Sequence, residues 1–191
     1  MTFHYVIHEI STGRIVHSGS ACSESAFVCP SHDLTTHTML PIKADIKTQY
    51  IANGVAVDMG QRPSSNHVFN FTVKAWALDL DAARLSAWAR VKKARDVEIA
   101  SGVEYEGHIF DSGEPSMHRM MMCAQAVQAS PDSTVAWTLA DNSSVILHAP
   151  DIVRISSLMW TRFQAFFTKG QRLREQIQQA TTQAQLDAIS W

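Results

Sequence analysis

The longest apolar stripe of the sequence lies between Pro150 and Ala180 and has the period of an α-helix. Its members recur every three or four residues, the spacing that places side chains on one helical face. They are Ile152, Ile155, Met159, Phe163, Phe166, Leu173 and Ile177. Pro150 is typical of a first helical turn. A helix of about thirty residues is about 45 Å long, which is longer than a compact domain of this size requires.

Part of this stripe repeats every seven residues. The repeating positions are Ile152, Met159, Phe166 and Leu173, with Ile155 and Phe163 between them. Such a repeat is typical of helices that pack on a second, similar helix. The simpler interpretation is that the stripe is the core of its own domain. We keep both, and predict that segment 151–180 can mediate self-association or packing on a neighbouring protein.

The helical period first appears at Leu80 and predicts a helix from about Asp79 to Ala100. Its apolar face is formed by Leu80, Ala83, Ala87, Val91 and Ala94. Pro115 predicts the start of a second helix, since proline suits a first turn. The core face of that helix is predicted to hold Met117, Met120, Met121, Ala124 and Val127. Thr182 and Gln185 form a capping box, which predicts a short terminal helix.

Strands are predicted in pairs joined by turns. The turn signals are Thr12-Gly13, Asn53-Gly54, Glu106-Gly107 and Ala140-Asp141-Asn142-Ser143-Ser144, residues that adopt turn conformations at low cost. Strands joined as hairpins give antiparallel sheets, so the predicted class is α+β. We predict a small β module over 1–62, an extended connector over 63–80 and an α+β domain over 81–191.

Charge and hydropathy exclude several classes of function. The formal net charge is −2, which cannot supply the positive field of a nucleic-acid-binding protein. The basic cluster Arg90, Lys92, Lys93 and Arg95 is interpreted as a solvated helix face. No apolar run approaches the ~20 residues of a membrane span. The first residues lack an export signal, so synthesis in the cytoplasm and no membrane insertion are expected.

One cluster has the chemistry of a metal site. Cys22, Cys29, His32 and His37 offer thiolate and imidazole ligands suited to zinc. Paired cysteines of structural zinc sites are usually two to four residues apart, and these two are separated by six residues. We therefore predict ordinary loop residues and no metal. With Cys123 the cysteines are odd in number, which favours free thiols over disulfides.

Motifs for catalysis are missing from the sequence. There is no nucleophile elbow, no glycine-rich phosphate loop and no zinc-protease helix. Asp111, Glu114 and His118 lie close together along the chain and are candidates for acid–base chemistry. The alternative, which we favour, is a turn followed by a helix start, where carboxylates are stabilised by the helix dipole. The chain is predicted to have no catalytic or cofactor-binding residues.

From about Asp81 onward the sequence resembles DUF4376, a domain of phage and prophage tail proteins. The matching residues are Trp88, Lys92, Arg95, Asp96, Gly102-Val103, Tyr105, Gly107, Phe110-Asp111, Ser116, Trp137-Thr138-Leu139-Ala140-Asp141-Asn142 and Leu186-Asp187-Ala188-Ile189-Ser190-Trp191. Upstream, His67-Val68-Phe69 and Lys74-Ala75-Trp76 resemble a connector of tail-fibre and tail-fibre-assembly proteins. Trp137 and Trp191 are expected to be core anchors.

The resemblance implies a non-enzymatic structural component of a bacteriophage tail that supports host attachment. Its implied place is the baseplate, tail tip or fibre-attachment region of the virion, and its implied partners are other tail proteins. One alternative is an assembly chaperone that binds fibre protein and is absent from the mature virion. A second alternative is a small hydrolase or lectin-like module acting on surface glycans. The resemblance carries no catalytic residues, so none are assigned.

Overall fold

The computed structural model describes residues 2–191 and has the predicted α+β class. Two compact units divide the chain, Met1–Asp79 and Leu80–Trp191. The first unit is built from strands in antiparallel pairs, and the second holds four α-helices and two hairpins. Within the described residues, no helix combines the length and apolarity that crossing a membrane requires.

A three-stranded antiparallel sheet forms the centre of the first unit. Its strands are β1 (Phe3–Glu9), β2 (Ile15–Ala21) and β3 (His37–Leu40), in the order β2-β1-β3. Val6, Ile15 and Ile51 are buried together. Residues 20–41 hold a 3-10 turn at Glu24–Ala26 as well as β3. The β-rich interpretation of the first sixty residues is thus confirmed by the strand pairing.

Gly13 joins the turn of the first hairpin to the next part of the unit. Its carbonyl accepts a hydrogen bond from the Ile51 amide at 2.8 Å. The glycine has a φ of +68°, and a Cβ there would lie 1.9 Å from the Ile51 carbonyl oxygen. Both the conformation and the close approach therefore require a residue without a side chain.

Two further hairpins complete the first unit. They are β4 (Gln49–Ala52) with β5 (Val55–Asp58), and β6 (His67–Asn70) with β7 (Ala75–Leu78). The segment predicted as an extended connector over 63–80 contains the second of these hairpins. The Asn70 side chain accepts hydrogen bonds from the Thr72 and Val73 amides at 2.9 and 3.2 Å. This turn interrupts the extended segment predicted over 63–80, because an asparagine side chain can replace a backbone acceptor.

The second unit alternates helices and hairpins. Its elements in order are α1 (Leu80–Ala100), β8 (Val103–Tyr105), β9 (His108–Phe110), α2 (Glu114–Ala129), β10 (Thr134–Thr138), β11 (Ser144–His148), α3 (Ala149–Gln179) and α4 (Gln183–Ala188). Each predicted helix and hairpin of this half is present. The Thr182–Gln185 capping box is also present at the start of α4.

Helix α3 is the element around which the second unit packs, since it contacts both α1 and α2. The unit's main core combines α2, α3 and both hairpins. Its buried members are Val103, Phe110, Met120, Val127, Trp137, Leu139, Leu147, Ile152, Ile155 and Met159. Farther along α3, Leu173 and Ile177 are also buried. Most of the apolar stripe predicted for α3 is thus buried inside the unit. Trp137 is a core anchor, as expected.

Three helices end against an arginine that comes from another helix. Arg84 donates to the Ala180 carbonyl after α3 at 3.0 Å. Arg90 donates to the Leu186 carbonyl of α4 at 2.7 Å. Arg162 donates to the Glu98 carbonyl of α1 at 2.9 Å. The last carbonyls of a helix lack partners within it and carry partial negative charge, so a guanidinium satisfies both needs.

Arg90, in the basic cluster of α1 predicted to be a solvated face, is exposed but also makes contacts within the unit. Its guanidinium also donates to the Ile189 carbonyl at 3.1 Å, and therefore holds both α4 and the residue after it. Lys92 and Lys93 are exposed, as predicted. The sequence pattern did not separate these residues because a long arginine side chain can lie along a neighbouring helix end while its stem stays near the surface.

Trp191 lies half-buried against α1 and α3. Its indole nitrogen donates to the Glu98 carboxylate, and its ring packs edge-on against Phe166 at 5.7 Å. The Lys169 ammonium lies over the same ring, 4.4 Å from its centroid. The anchoring role expected for this tryptophan is therefore carried by a mixture of polar and aromatic contacts rather than by full burial.

Substituting Phe110 tests the core of the second unit. Phe110→Ala is expected to lower the free energy of unfolding by about 3–5 kcal/mol, because the ring is fully buried and leaves a cavity. Urea unfolding of the full chain, followed by helical circular dichroism, reports on this unit, since it holds all four α-helices. Ile109→Ala is the matched control: the adjacent side chain is 51% exposed. Equal losses for the two variants would contradict the assigned core.

Substituting Arg162 tests the capping of α1. Arg162→Met is expected to lower the free energy of unfolding by about 1–3 kcal/mol, because a charge-assisted hydrogen bond to the Glu98 carbonyl is lost. It also removes a bond to the Ser101 hydroxyl at 2.7 Å. The same urea titration measures the effect. Arg172→Met, an exposed arginine of α3, is the control, and an equally large loss there would exclude a specific capping role.

Candidate functional site

An exposed apolar surface spans α2 and α3 in the second unit. Met121 and Met122 come from α2, and Val153, Trp160 and Phe167 come from α3. Each of these five side chains is between 48% and 55% exposed. We call them the α2–α3 face. Monomeric proteins rarely leave several large apolar side chains together in water unless they bind something.

Helix α3 carries a second stripe beside the buried one. Val153, Trp160 and Phe167 are spaced by seven residues. Each follows by one residue a member of the first stripe: the buried Ile152 and Met159, and the half-buried Phe166. A shift of one residue turns the side chain by about 100° around the helix. The helix therefore buries one stripe in its own unit and presents the next to solvent.

The aromatic side chains of this second stripe form a continuous ridge. Trp160 stacks on Phe163 with ring centroids 6.0 Å apart and an angle of 22° between the planes. Phe163 stacks on Phe167 at 6.4 Å and 18°. Phe163 is half-buried and lies between the two more exposed rings. The stacked rings present a continuous apolar contact surface.

A groove of about 440 Å³ runs beside the ridge, between α2 and α3. Its lining residues are His118, Met121, Met122, Ala124, Gln125, Gln128, Ser156, Ser157 and Trp160. A second groove of about 560 Å³ shares Gln128 and Ser157 with the first and extends toward Val153. The ridge and the grooves thus form one surface with a raised part and a recessed part.

The lining of the first groove is apolar with amide and hydroxyl groups. His118 is its one titratable residue among the side chains that line it. General acid–base catalysis usually needs a second group placed against the first. The groove therefore offers mainly apolar, amide and hydroxyl groups to a bound molecule.

The prediction that Met121 lies on the core face of α2 is wrong. Met121 was expected on the core face of its helix with Met120, but only Met120 is buried, and Met121 and Met122 are exposed. Three consecutive residues point in directions about 100° apart on a helix, so a core on one side can bury no more than part of the run. The flexible thioethers lie where an adaptable contact is useful.

The candidate zinc ligands lie in the first unit. The Cys29 sulfur is 3.9 Å from His32 Nδ1, and that nitrogen is 2.8 Å from the Pro30 carbonyl. His37 instead lies beside the Thr36 hydroxyl, 2.8 Å away. Cys22 and Cys29 are both free thiols. Across residues 2–191, no three His, Cys, Asp or Glu side chains are grouped to hold a metal ion.

Asp33 organises the loop that contains these residues. Its carboxylate accepts hydrogen bonds from the Thr35 hydroxyl at 2.6 Å and the Thr35 amide at 2.9 Å. The Thr35 hydroxyl is the main cause that lowers the pKa of this carboxyl below its ordinary value. The acidic side chain therefore serves as the hydrogen-bond acceptor of a turn. Strand β3 begins after this turn, at His37.

The acid–base candidates are placed around the start of α2. Glu114 is the first residue of that helix, and Asp111 is exposed just before it. His118 lies one turn into the helix and lines the groove. Glu114 thus occupies the helix start that the dipole favours.

Sequence analysis missed the α2–α3 face because it assigned one stripe to α3. Trp160 and Phe167 were the available signal: two large aromatic residues outside the predicted stripe, seven residues apart. Val153 lies seven residues earlier and completes the pattern. The same periodicity argument, applied to the positions left over from the first stripe, finds it.

Comparison with known proteins identifies the second unit. Residues 82–190 match the profile of a family described as a domain of unknown function, DUF4376. No curated protein and no solved structure is significantly similar to the chain. The match covers more than half of the sequence and nearly all of the helical unit with its α2–α3 face. The chain belongs to the DUF4376 family.

Proposed function

We propose that the chain is a non-enzymatic structural component of a bacteriophage tail that supports host attachment. It is made in the cytoplasm of the bacterial host and works in the virion, in the baseplate, tail tip or fibre-attachment region. Its partners are other tail proteins. The observation that carries this proposal is the α2–α3 face, an exposed apolar surface with a ridge of stacked aromatic rings.

The chemistry of this surface supports an interaction role. Trp160 is half exposed and lies at one end of the ridge, and tryptophan is among the residues that contribute most to protein–protein binding. The groove beside it is lined by thioethers, amides and hydroxyls. Such a surface binds an apolar protein segment through burial and shape, with amides available to pair its backbone.

The assignment to a phage tail rests on the resemblance of the second unit to the domain of tail proteins. The residues that carry the resemblance also have structural roles. Trp137 is buried in the core, Gly107 and Asp141-Asn142 lie in hairpin turns, and Leu186 of α4 is fully buried. A shared framework of this kind supports membership in the same group of proteins, while the exposed face supports a binding role on that framework.

An assembly chaperone is the second candidate, and the paired Met121 and Met122 favour it. Unbranched thioether side chains adapt to different apolar partners, which suits a surface that covers a folding fibre protein. Both methionines are about half exposed. The chaperone and the structural component differ in whether the chain remains in the finished particle.

Mass spectrometry of purified particles of a phage that encodes this chain separates the two functions. We expect its peptides at a small fixed ratio to the major tail protein, since tail components occupy symmetric positions. A phage replication enzyme is the negative control and should be absent from the same particles. Deleting the gene is expected to reduce adsorption to the host while capsids still form.

The opposite result has a clear meaning. If the chain is absent from particles and a tagged copy retains fibre protein from infected-cell lysate, the structural proposal is wrong and the chaperone is favoured. A Trp160→Ser copy serves as the matched comparison in that experiment, because it removes the centre of the α2–α3 face. A Leu85→Ser copy, altered at an exposed leucine of α1, controls for general loss of surface hydrophobicity.

A further inference from the structure

We propose that the α2–α3 face binds the same face of a second copy of the chain, with the two α3 helices antiparallel and crossing near Trp160. This inference concerns the second unit itself and does not depend on whether the chain is a tail component. Self-association was predicted through the first stripe of α3, but Ile152, Met159 and Leu173 of that stripe are buried in the unit. The proposed contact therefore uses the exposed stripe beside it.

The spacing of the exposed stripe fits an antiparallel pair. Trp160 is at its centre, with Val153 seven residues before it and Phe167 seven residues after it. A two-fold axis near Trp160 places Val153 of each copy against Phe167 of the other. Residues spaced by seven along both helices stay in contact over several turns, because the pattern matches the helical repeat.

The charges select the antiparallel arrangement. Arg174 lies seven residues beyond Phe167 with its guanidinium 5.6 Å from the centroid of the Trp88 ring of α1, and Arg172 is exposed nearby. In a parallel pair each arginine would face its own copy, which is unfavourable. In the antiparallel pair the two Arg174 side chains lie at opposite ends of the interface, far from the axis.

The centre of the face is uncharged, as a two-fold interface requires. The α3 residues around Trp160 on this side are Ser157, Thr161, Gln164 and Thr168. Around a two-fold axis each side chain approaches its own copy, so any charge there would meet a like charge. Amides and hydroxyls avoid this cost, since each can both donate and accept a hydrogen bond.

The shape is also self-complementary. The ridge of Trp160, Phe163 and Phe167 lies directly beside the groove between α2 and α3. A two-fold related copy brings its ridge to this groove and receives the other ridge in its own. Such mutual insertion of a raised and a recessed surface is the geometry of an isologous interface.

The available area is sufficient for a dimer. The five side chains of the α2–α3 face, each about half exposed, offer on the order of 500 Å² of apolar surface. With the surrounding amides and hydroxyls, each copy approaches the ~800 Å² that one partner buries in a standard interface. Burial of Trp160 and Phe167 at the centre is expected to supply most of the affinity.

Sedimentation velocity of the full chain over a micromolar concentration series tests the dimer. We expect a reversible monomer–dimer equilibrium, and Trp160→Ser should raise its dissociation constant at least about 30-fold, as expected for a central aromatic anchor. Leu85→Ser changes an exposed leucine on α1 and should leave the constant unchanged. Circular dichroism of each variant verifies that it is folded.

Two results would overturn the proposal. A chain that stays monomeric over the whole series leaves the face to a different protein. A dimer that Trp160→Ser and Phe167→Ser do not weaken uses another surface.

Disulfide crosslinking tests the antiparallel direction. In a chain whose Cys22, Cys29 and Cys123 are replaced by serine, copies with Ser157→Cys are mixed with copies with Gln164→Cys. Antiparallel helices crossing near Trp160 bring these two positions together, so the mixed dimer should crosslink in preference to either variant with itself. Preferential crosslinking of each variant with itself indicates parallel helices and contradicts the proposed arrangement. Ala89→Cys, at an exposed position of α1, is the control that should remain uncrosslinked.

Discussion

The second unit depends on arginine side chains that cap helix ends they do not belong to. Arg84 and Arg90 reach from α1 to the ends of α3 and α4, and Arg162 reaches from α3 to the end of α1. Each bond stabilises a carbonyl that its own helix cannot pair. Because α1 and α3 each cap the C-terminal end of the other, neither helix can rotate or slide without breaking a charge-assisted hydrogen bond. The apolar core supplies the driving force, and these bonds define the relative position of the helices.

A fixed position for α3 is what gives its exposed side a defined shape. The helix buries Ile152, Ile155 and Met159 in the core of the unit. These contacts fix the rotation of the helix about its own axis. Trp160 and Phe167 must then point outward, whatever their preference for an apolar environment. A helix with one buried stripe and a second apolar stripe beside it cannot satisfy both inside one small unit. The second stripe is therefore available to a partner, and we propose that another copy of the chain provides it.

The helices and hairpins of the second unit were predicted correctly because neighbouring residues determine where turns form and where helices begin. The turn residues Asn53-Gly54 and Glu106-Gly107 adopt positive φ, and the Thr182 capping box needs a few neighbouring residues. The hairpin within 63–80 was missed because alternating apolar residues hid the turn acceptor Asn70. Burial was harder to predict, since Met121 and Arg90 take roles that depend on which helix lies beside them. The candidate surface was missed for the same reason: periodicity finds apolar stripes, but it does not say which stripe the fold covers.

The arginine bonds also bear on the order in which the second unit forms. The bonds of Arg84 and Arg90 join residues 96 positions apart, and that of Arg162 joins residues 64 positions apart. The hairpins, by contrast, pair residues a few positions from each other. Contacts that close long loops form late, because their entropic cost precedes any gain. During synthesis α1 is the first helix of the unit to leave the ribosome, and its packing partners α3 and α4 follow much later. The apolar face of α1 therefore remains exposed until these later helices have been synthesised.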